Sequence, residues 1–276
     1  MPARPMPGRT FVLFRLGPFE IAIHPSWFLM LGVIALIANE EIVPAIVGDR
    51  SGLAPILSIG IALLFYSFVV LHELSHAIVA RLHGIDARRI TLFIFGGVAQ
   101  IGAEAQQPAD EFRIAAAGPL CSLILAGALV GVAHALHPGE KFFPGVWGRL
   151  GLINLALAAF NLVPAFPMDG GRLLRAGLWS GLRDRARATR WAANLGKGFA
   201  FLLIGGGGAY AAANIASAEP SGVIPGVWYV LIGSFLLRIA DTAGRTEGGA
   251  IPRGPDAPSS GERLFVPRGP EDPPLQ

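Results

Sequence analysis

The sequence predicts an all-α polytopic membrane protein of six transmembrane helices with a short β-sheet at the membrane surface. Of its 276 residues 53% are hydrophobic and only 15% charged, and the mean hydropathy is +0.54. A soluble domain carries about 25% charged residues, so that class is excluded by composition. Several apolar stretches approach or exceed the ~18 residues of a membrane helix, whereas a barrel would show short alternating segments. The basic residues also fall to one side once six spans are drawn.

Those spans lie at about 26–47, 53–80, 114–136, 146–166, 191–214 and 223–240, the first interrupted by Glu40 and Glu41. They leave 19 of the 22 Lys and Arg residues on one face and only Arg50, Lys141 and Arg149 on the other. The positive-inside rule then places both termini and the second and fourth loops in the cytoplasm of a multi-pass cell-membrane protein. An odd number of spans would spoil this division. Ahead of the first span, Arg4, Arg9 and Arg15 accompany no apolar core of signal-peptide type, so no cleaved leader is expected.

Residues 88–102 are too short to span, rich in β-branched and aromatic side chains, and contain the Gly96-Gly97 pair. They predict a short sheet at the cytoplasmic membrane surface. Residues 245–276 hold seven prolines and no apolar period, which predicts a disordered cytoplasmic tail after a membrane domain of residues 1–244. The +3 charge and pI near 9.5 do not indicate nucleic acid, because the arginines flank hydrophobic spans. The partner they imply is the lipid bilayer. Cys121, the single cysteine, lies in an apolar stretch and is expected to pack.

Within the second span runs Leu71-His72-Glu73-Leu74-Ser75-His76-Ala77. On a helix His72 and His76 stand about 40° apart in angle and one turn apart in height, so two imidazoles can grip one metal ion. Glu73 is left beside it, free to hold a proton. Ionisable side chains in an apolar helix are costly to desolvate and mark function by default. Catalytic zinc takes three protein ligands, and Asp169 is the candidate for the third. It sits in the string Asn161-Leu162-Val163-Pro164-Ala165-Phe166-Pro167-Met168-Asp169-Gly170-Gly171-Arg172 at the cytoplasmic end of the fourth span, at a depth similar to that of the histidines. A turn aspartate before Gly170-Gly171 is the alternative. Pro164 and Pro167 break the helix there, which is tolerated at membrane depth where the freed groups line a cavity. Asn161 is placed either to donate to a developing oxyanion or to cap those freed carbonyls.

These two strings together resemble the site-2 protease family of intramembrane zinc metalloproteases, in its prokaryotic six-span form. The similarity extends over roughly residues 8–243, including His24-Pro25-Ser26-Trp27, Phe95-Gly96-Gly97-Val98 and Ala117-Gly118-Pro119. No segment reads as a CBS pair or a PDZ domain, so nucleotide regulation is not carried over. The resemblance implies one Zn2+ per chain on His72, His76 and Asp169, with Glu73 activating water. It also implies a transmembrane protein as substrate, membrane-bound signalling regulators being one such class.

Two other readings are a metal-ion transporter, with the same three ligands as a transit site, and a pseudoprotease that binds membrane helices without cutting them. The glutamate beside the ligands has no purpose in the first and would be dispensable in the second. His24, His83, His134 and His137 are expected to cap or pack near interfaces, and Gly205 to Gly208 to let helices approach. A strand over residues 91–101, directly after the histidine helix, would lie near the metal with an edge able to pair with an extended peptide. A plain packing strand with a glycine bulge is the competing account.

Overall fold

The computed structural model describes residues 10–47, 52–94, 96–101, 104–139, 145–217 and 222–248. The expected tail lies outside them from residue 249 onward, as do Arg4, Arg9, Arg50 and Lys141. The elements run β1 (Phe11–Leu16), β2 (Phe19–Ile23), α1 (Ser26–Glu41), α2 (Pro44–Val47), α3 (Ala54–Leu82), β3 (Ala87–Phe93) and β4 (Gly96–Ile101). They continue with α4 (Pro108–Leu136), α5 (Gly145–Asn161), α6 (Asp169–Leu182), α7 (Arg185–Ala216) and α8 (Val223–Gly248). The first residues assigned to the tail thus complete α8.

Four helices are long and apolar enough to cross a membrane: α3, α4, α7 and the Val223–Arg245 stretch of α8. Their outward faces are as apolar as their inward ones, with Ile56, Ile124 and Leu202 exposed, as a lipid-facing surface requires. The expected first and fourth spans correspond to α1 and α5, which run for 16 and 17 residues. The fourth ends at Asn161 and not at residue 166. Pro164 and Pro167 push the residues before them out of the helical region, so the chain leaves the helix for seven residues and restarts at Asp169. Helix α6, strongly amphipathic and 14 residues long, was not anticipated as an element.

The sheet is larger than expected. Its order is β1-β2-β3-β4, with β2 parallel to β3 and both flanking pairs antiparallel. The residues expected to form the sheet supply β3 and β4, while the segment before the first helix supplies β1 and β2. Strand β2, central and parallel to β3, is almost wholly buried, whereas every residue of β1 is exposed. Glu20 ties three strands: Arg15 of β1 donates to its Oε1 at 2.7 Å and Arg89 of β3 to its Oε2 at 2.8 Å. Hydrogen bonds from Arg89 and then Arg15 hold its carboxyl below the ordinary carboxylate range.

Two apolar clusters join the sheet and helices. Phe19, Ile21 and Ile90 of the sheet pack on Leu74, Ala77 and Ala80 of α3, with Ile114 of α4 in the same cluster. Trp27 of α1 stacks 5.1 Å from Tyr66 of α3 and shares a cluster with Leu92 of β3. On the far side, Gly207 of α7 lies against the Gly226 carbonyl of α8, the close helix approach expected of the glycine run. His24 and Ser26 hydrogen bond at 2.8 Å, and His83 and His134 bond the carbonyls four residues earlier, so these three cap as expected.

The turn from the histidine helix into the sheet is set by Gly84. It takes φ +73°, while the Gly84 N–H donates to the Arg81 carbonyl and the Ile85 N–H to the Ala80 carbonyl, both at 3.0 Å. These are the two bonds of a Schellman close, with Ile85 tucked into the α3–sheet cluster. A side chain at this φ costs about 1–2 kcal/mol. Gly84→Ala is therefore expected to lower stability by that amount, read from denaturant unfolding in detergent, without altering metal uptake.

Candidate metal centre

Helix α3 brings His72 and His76 to its face against α4, both 3% exposed. Their ring orientations are fixed from behind. The Nδ1–H of His76 donates to the Ile114 carbonyl at 2.6 Å, and Nδ1 of His72 lies 2.9 Å from the Ser122 hydroxyl, both partners on α4. Each ring is thereby turned to present Nε2 inward. Outer partners of this kind are what orient imidazole toward a metal.

What faces the two Nε2 atoms from α4 is Gly118. A Cβ at that position would fall 2.1 Å from Nε2 of His76 and 2.5 Å from Nε2 of His72. The missing side chain keeps open the space between the imidazoles. The carboxylate of Asp169, at the first turn of α6, completes the group: its Oδ2 is 3.2 Å from His72 Nε2 and 3.1 Å from His76 Nε2, and the two Nε2 atoms are 3.4 Å apart.

This donor set fits zinc. Ligand atoms on a tetrahedron with bonds of about 2.0–2.1 Å stand about 3.3–3.4 Å from one another, close to the observed triangle. Asp169 is 8% exposed. With the His76 proton engaged on Nδ1, two nitrogen lone pairs and a carboxylate converge, and such a cluster requires positive charge at its centre. Among the described residues it is the one group of three His, Cys, Asp or Glu side chains able to share an ion.

Glu73 and Asn161 reach the same place. With His76, Asp169 and Arg172 they line a cavity of about 230 Å³, whose remaining wall is Gly97 and Val98 of β4 and Pro167. Strand β4 touches Glu73 directly, since a Cβ on Gly97 would fall 2.6 Å from Glu73 Cγ. Asn161, last residue of α5, donates its amide to the Leu157 carbonyl at 3.0 Å while facing the cavity, so the capping bond forms at the cavity wall. A second, apolar cavity of about 370 Å³ adjoins His72 and Glu73 between α1, α3, α5 and α8, with Ile34, Phe65, Phe160 and Trp228 among its walls.

The structure thus brings four of the five residues singled out in the sequence, Glu73, His76, Asn161 and Asp169, to one cavity, with His72 joined to them through the three-donor cluster. It adds Ile114, Gly118 and Ser122 of α4, Gly97 of β4 and Arg172 of α6. Of these, Gly118, Gly97 and Arg172 stood in strings that caught notice, without a role assigned to them. A backbone carbonyl 38 residues from the histidine it orients and a hydroxyl 50 residues from the other leave no local signature.

A membrane protein with two histidines on one apolar helix, a carboxylate at a helix break and a glutamate beside them is defined as a class by fold and site. The model of peptidase family M50 matches residues 60–205, and the chain belongs to that family. It is 38% identical over 227 residues to the Synechocystis sp. protein sll0528, covering 81% of this chain and 56% of that one. It is also 38% identical over 194 residues to the zinc metalloprotease MJ0392 of Methanocaldococcus jannaschii, covering 70% of this chain and 52% of the relative. The chain therefore spans about half the length of these relatives. It is similar in structure to the site-2 protease from Methanocaldococcus jannaschii, with TM-score 0.57 and 30% identity, covering 86% of this chain and 96% of that one.

The contact at position 118 generates a direct test. Gly118→Ala places a methyl between the two Nε2 atoms and is expected to abolish uptake of zinc by a folded protein, measured as metal content by mass spectrometry.

Proposed function

We propose that the chain is an intramembrane zinc endopeptidase that hydrolyses peptide bonds in or near transmembrane helices of other membrane proteins. The observation that supports this best is the shared cavity: His76 and Asp169 of the three-donor cluster with His72, the Glu73 carboxylate and the open edge of a strand border one space. His72, His76 and Asp169 hold the metal. Zinc supplies Lewis acidity, which lowers the pKa of water toward ~7 and polarises a peptide carbonyl.

The remaining work falls to side chains of this protein. The Glu73 carboxylate takes a proton from the attacking water as the C–O bond forms. It then delivers that proton to the amide nitrogen as the C–N bond breaks, releasing an amine and a carboxylate. Asn161, with one amide hydrogen on Leu157, directs the other toward the oxygen that gains charge. A substrate helix satisfies its own hydrogen bonds and must unwind before its carbonyl is accessible. Strand β4 ends the sheet, and no strand lies beyond it among the described residues. An unwound segment that adds to this edge is carried past Glu73 by the Gly97 contact.

The membrane arrangement we infer has six spans with both termini cytoplasmic, supported by the 19-to-3 division of basic residues. At 1.5 Å per residue α1 and α5 are about 24–26 Å long, somewhat under the ~30 Å hydrocarbon thickness, a mismatch that bilayers accommodate by local thinning. In α1 the turn at Ile42–Val43 and helix α2 extend the apolar path. The segment past residue 248 is assigned to a cytoplasmic tail outside the catalytic unit.

Two outcomes test the reading. With a model transmembrane substrate in liposomes, Glu73→Gln is expected to keep about one zinc per chain and lose cleavage by ~10²-fold or more, because an amide accepts no proton. Asp169→Ala is expected to lose zinc as well. Turnover retained in the first, or full metal content in the second, would assign those roles elsewhere. Proline placed in turn along β4 from Gly97 removes one backbone donor at a time. At least one such folded, zinc-loaded variant is expected to cleave poorly; normal cleavage by all of them would exclude pairing at this edge.

A further inference from the structure

Helix α6 positions Asp169, yet α6 is a short helix outside the four long spans, and something must set its height and rotation against α4. Arg175, two turns beyond Asp169, is 8% exposed. Its Nε donates to Glu111 Oε1 at 2.8 Å, and Nη2 donates to the same oxygen. Glu111 belongs to the first turn of α4 and is 1% exposed, and its Oε2 is buried with no hydrogen-bond partner. The same guanidinium stacks over the Phe166 ring, 5.5 Å from its centroid. Phe166 lies in the break three residues before Asp169, and its N–H donates to the Ala192 carbonyl of α7 at 3.2 Å.

One side chain therefore touches both halves of the ligand set. On one side is the helix whose Ile114 carbonyl and Ser122 hydroxyl orient His76 and His72; on the other is the segment that delivers Asp169. From this we infer that Arg175, acting through Glu111 and Phe166, is a positioning residue for the metal centre, fixing the aspartate relative to the two histidines. The inference rests on the reading of His72, His76 and Asp169 as ligands. A buried charge pair is not needed merely to hold two helices together, since pairs of this kind are often replaceable by apolar residues of similar volume without loss of stability. What such a replacement loses is the registration of α6 on α4 by two planar donors converging on one carboxylate oxygen.

The probe is cobalt(II), titrated into the full chain in detergent after chelator treatment and followed by its visible absorption. The unmodified protein is expected to bind one ion with the intense bands of a low-coordinate site. Arg175→Gln is expected to bind ~10–100-fold more weakly, as loss of an outer orienting group does, with weaker or shifted bands. Arg175→Lys, which keeps a cation on Glu111, is expected to recover much of that affinity. The double variant Glu111→Leu with Arg175→Met removes both charges and keeps the volume; it is expected to fold, yet bind cobalt as weakly as Arg175→Gln. That makes it the deciding variant if Arg175→Gln misfolds. Affinity and spectrum unchanged in the folded double variant would overturn the role of Arg175 while leaving the metal site standing. No cobalt uptake by folded unmodified protein would overturn the metal reading, and this inference with it.

Discussion

Two imidazoles one turn apart can share an ion only if nothing stands between their Nε2 atoms, and here the neighbouring helix meets them with a glycine. Everything else in the centre follows from how close α4 comes at Gly118, where even a methyl would fall 2.1 Å from His76. That proximity brings the Ile114 carbonyl and the Ser122 hydroxyl within reach of the two Nδ1 atoms. The helices are held there by the cluster in which Ile114 packs with Leu74 and Ala77. Close packing through small residues is how helices associate in a membrane, where lipid offers apolar side chains no reason to leave it. In this protein the same device also empties the space a metal would fill.

The third ligand needs a different solution, because Asp169 must come from a chain that has just left a helix. Irregular backbone at membrane depth is tolerated only when its polar groups are satisfied or face a cavity. Between Asn161 and Asp169 they are satisfied at short range: the Ala165 N–H donates to the Val163 carbonyl at 2.7 Å and the Met168 N–H to the Ala165 carbonyl at 3.0 Å. The Phe166 N–H reaches α7. Helices α6 and α7 close on this segment so tightly that a Cβ at Gly171 or Gly196 would fall within 2.3 Å of the Phe166 backbone. The Gly170-Gly171 pair after the aspartate, which on its own reads as a turn signal, is in place for helix packing.

These requirements explain what was legible in the sequence. The histidine pair and Glu73 are visible because one helix carries all three at a spacing that states its geometry. Asp169 is visible because two prolines announce a helix break and basic-residue counting puts that break at the depth of the histidines. Strands β1 and β2 were missed for opposite reasons. Phe11–Leu16 is exposed on both faces and Phe19–Ile23 is buried on both, so neither shows the alternation that marks a half-buried strand. Helix α6 was hidden by its arginines, which read as a cytoplasmic loop, though Arg172 faces the cavity and Arg175 is buried on Glu111. A long-range ion pair has no period, so its partner is named only by the fold.

The resulting centre is firm on one side and open on the other. Behind the histidines stand the Ile114 carbonyl, the Ser122 hydroxyl and Gly118, and behind the aspartate Gly170 and Gly171 lie tight against the backbone of residues 162–166. In front, Glu73 faces two cavities, the smaller lined by polar groups and β4, the larger by aromatic and aliphatic side chains of four helices. On the proposed function, that front is where a peptide bond is presented. A strand edge accepts extended backbone of any sequence, because it reads N–H and C=O groups and not side chains. The apolar cavity beside it accepts side chains that already belong in a bilayer. If the proposed function holds, selection by such a site acts on how readily a membrane segment gives up its helical hydrogen bonds, a property of the substrate's backbone, before it acts on any particular side chain.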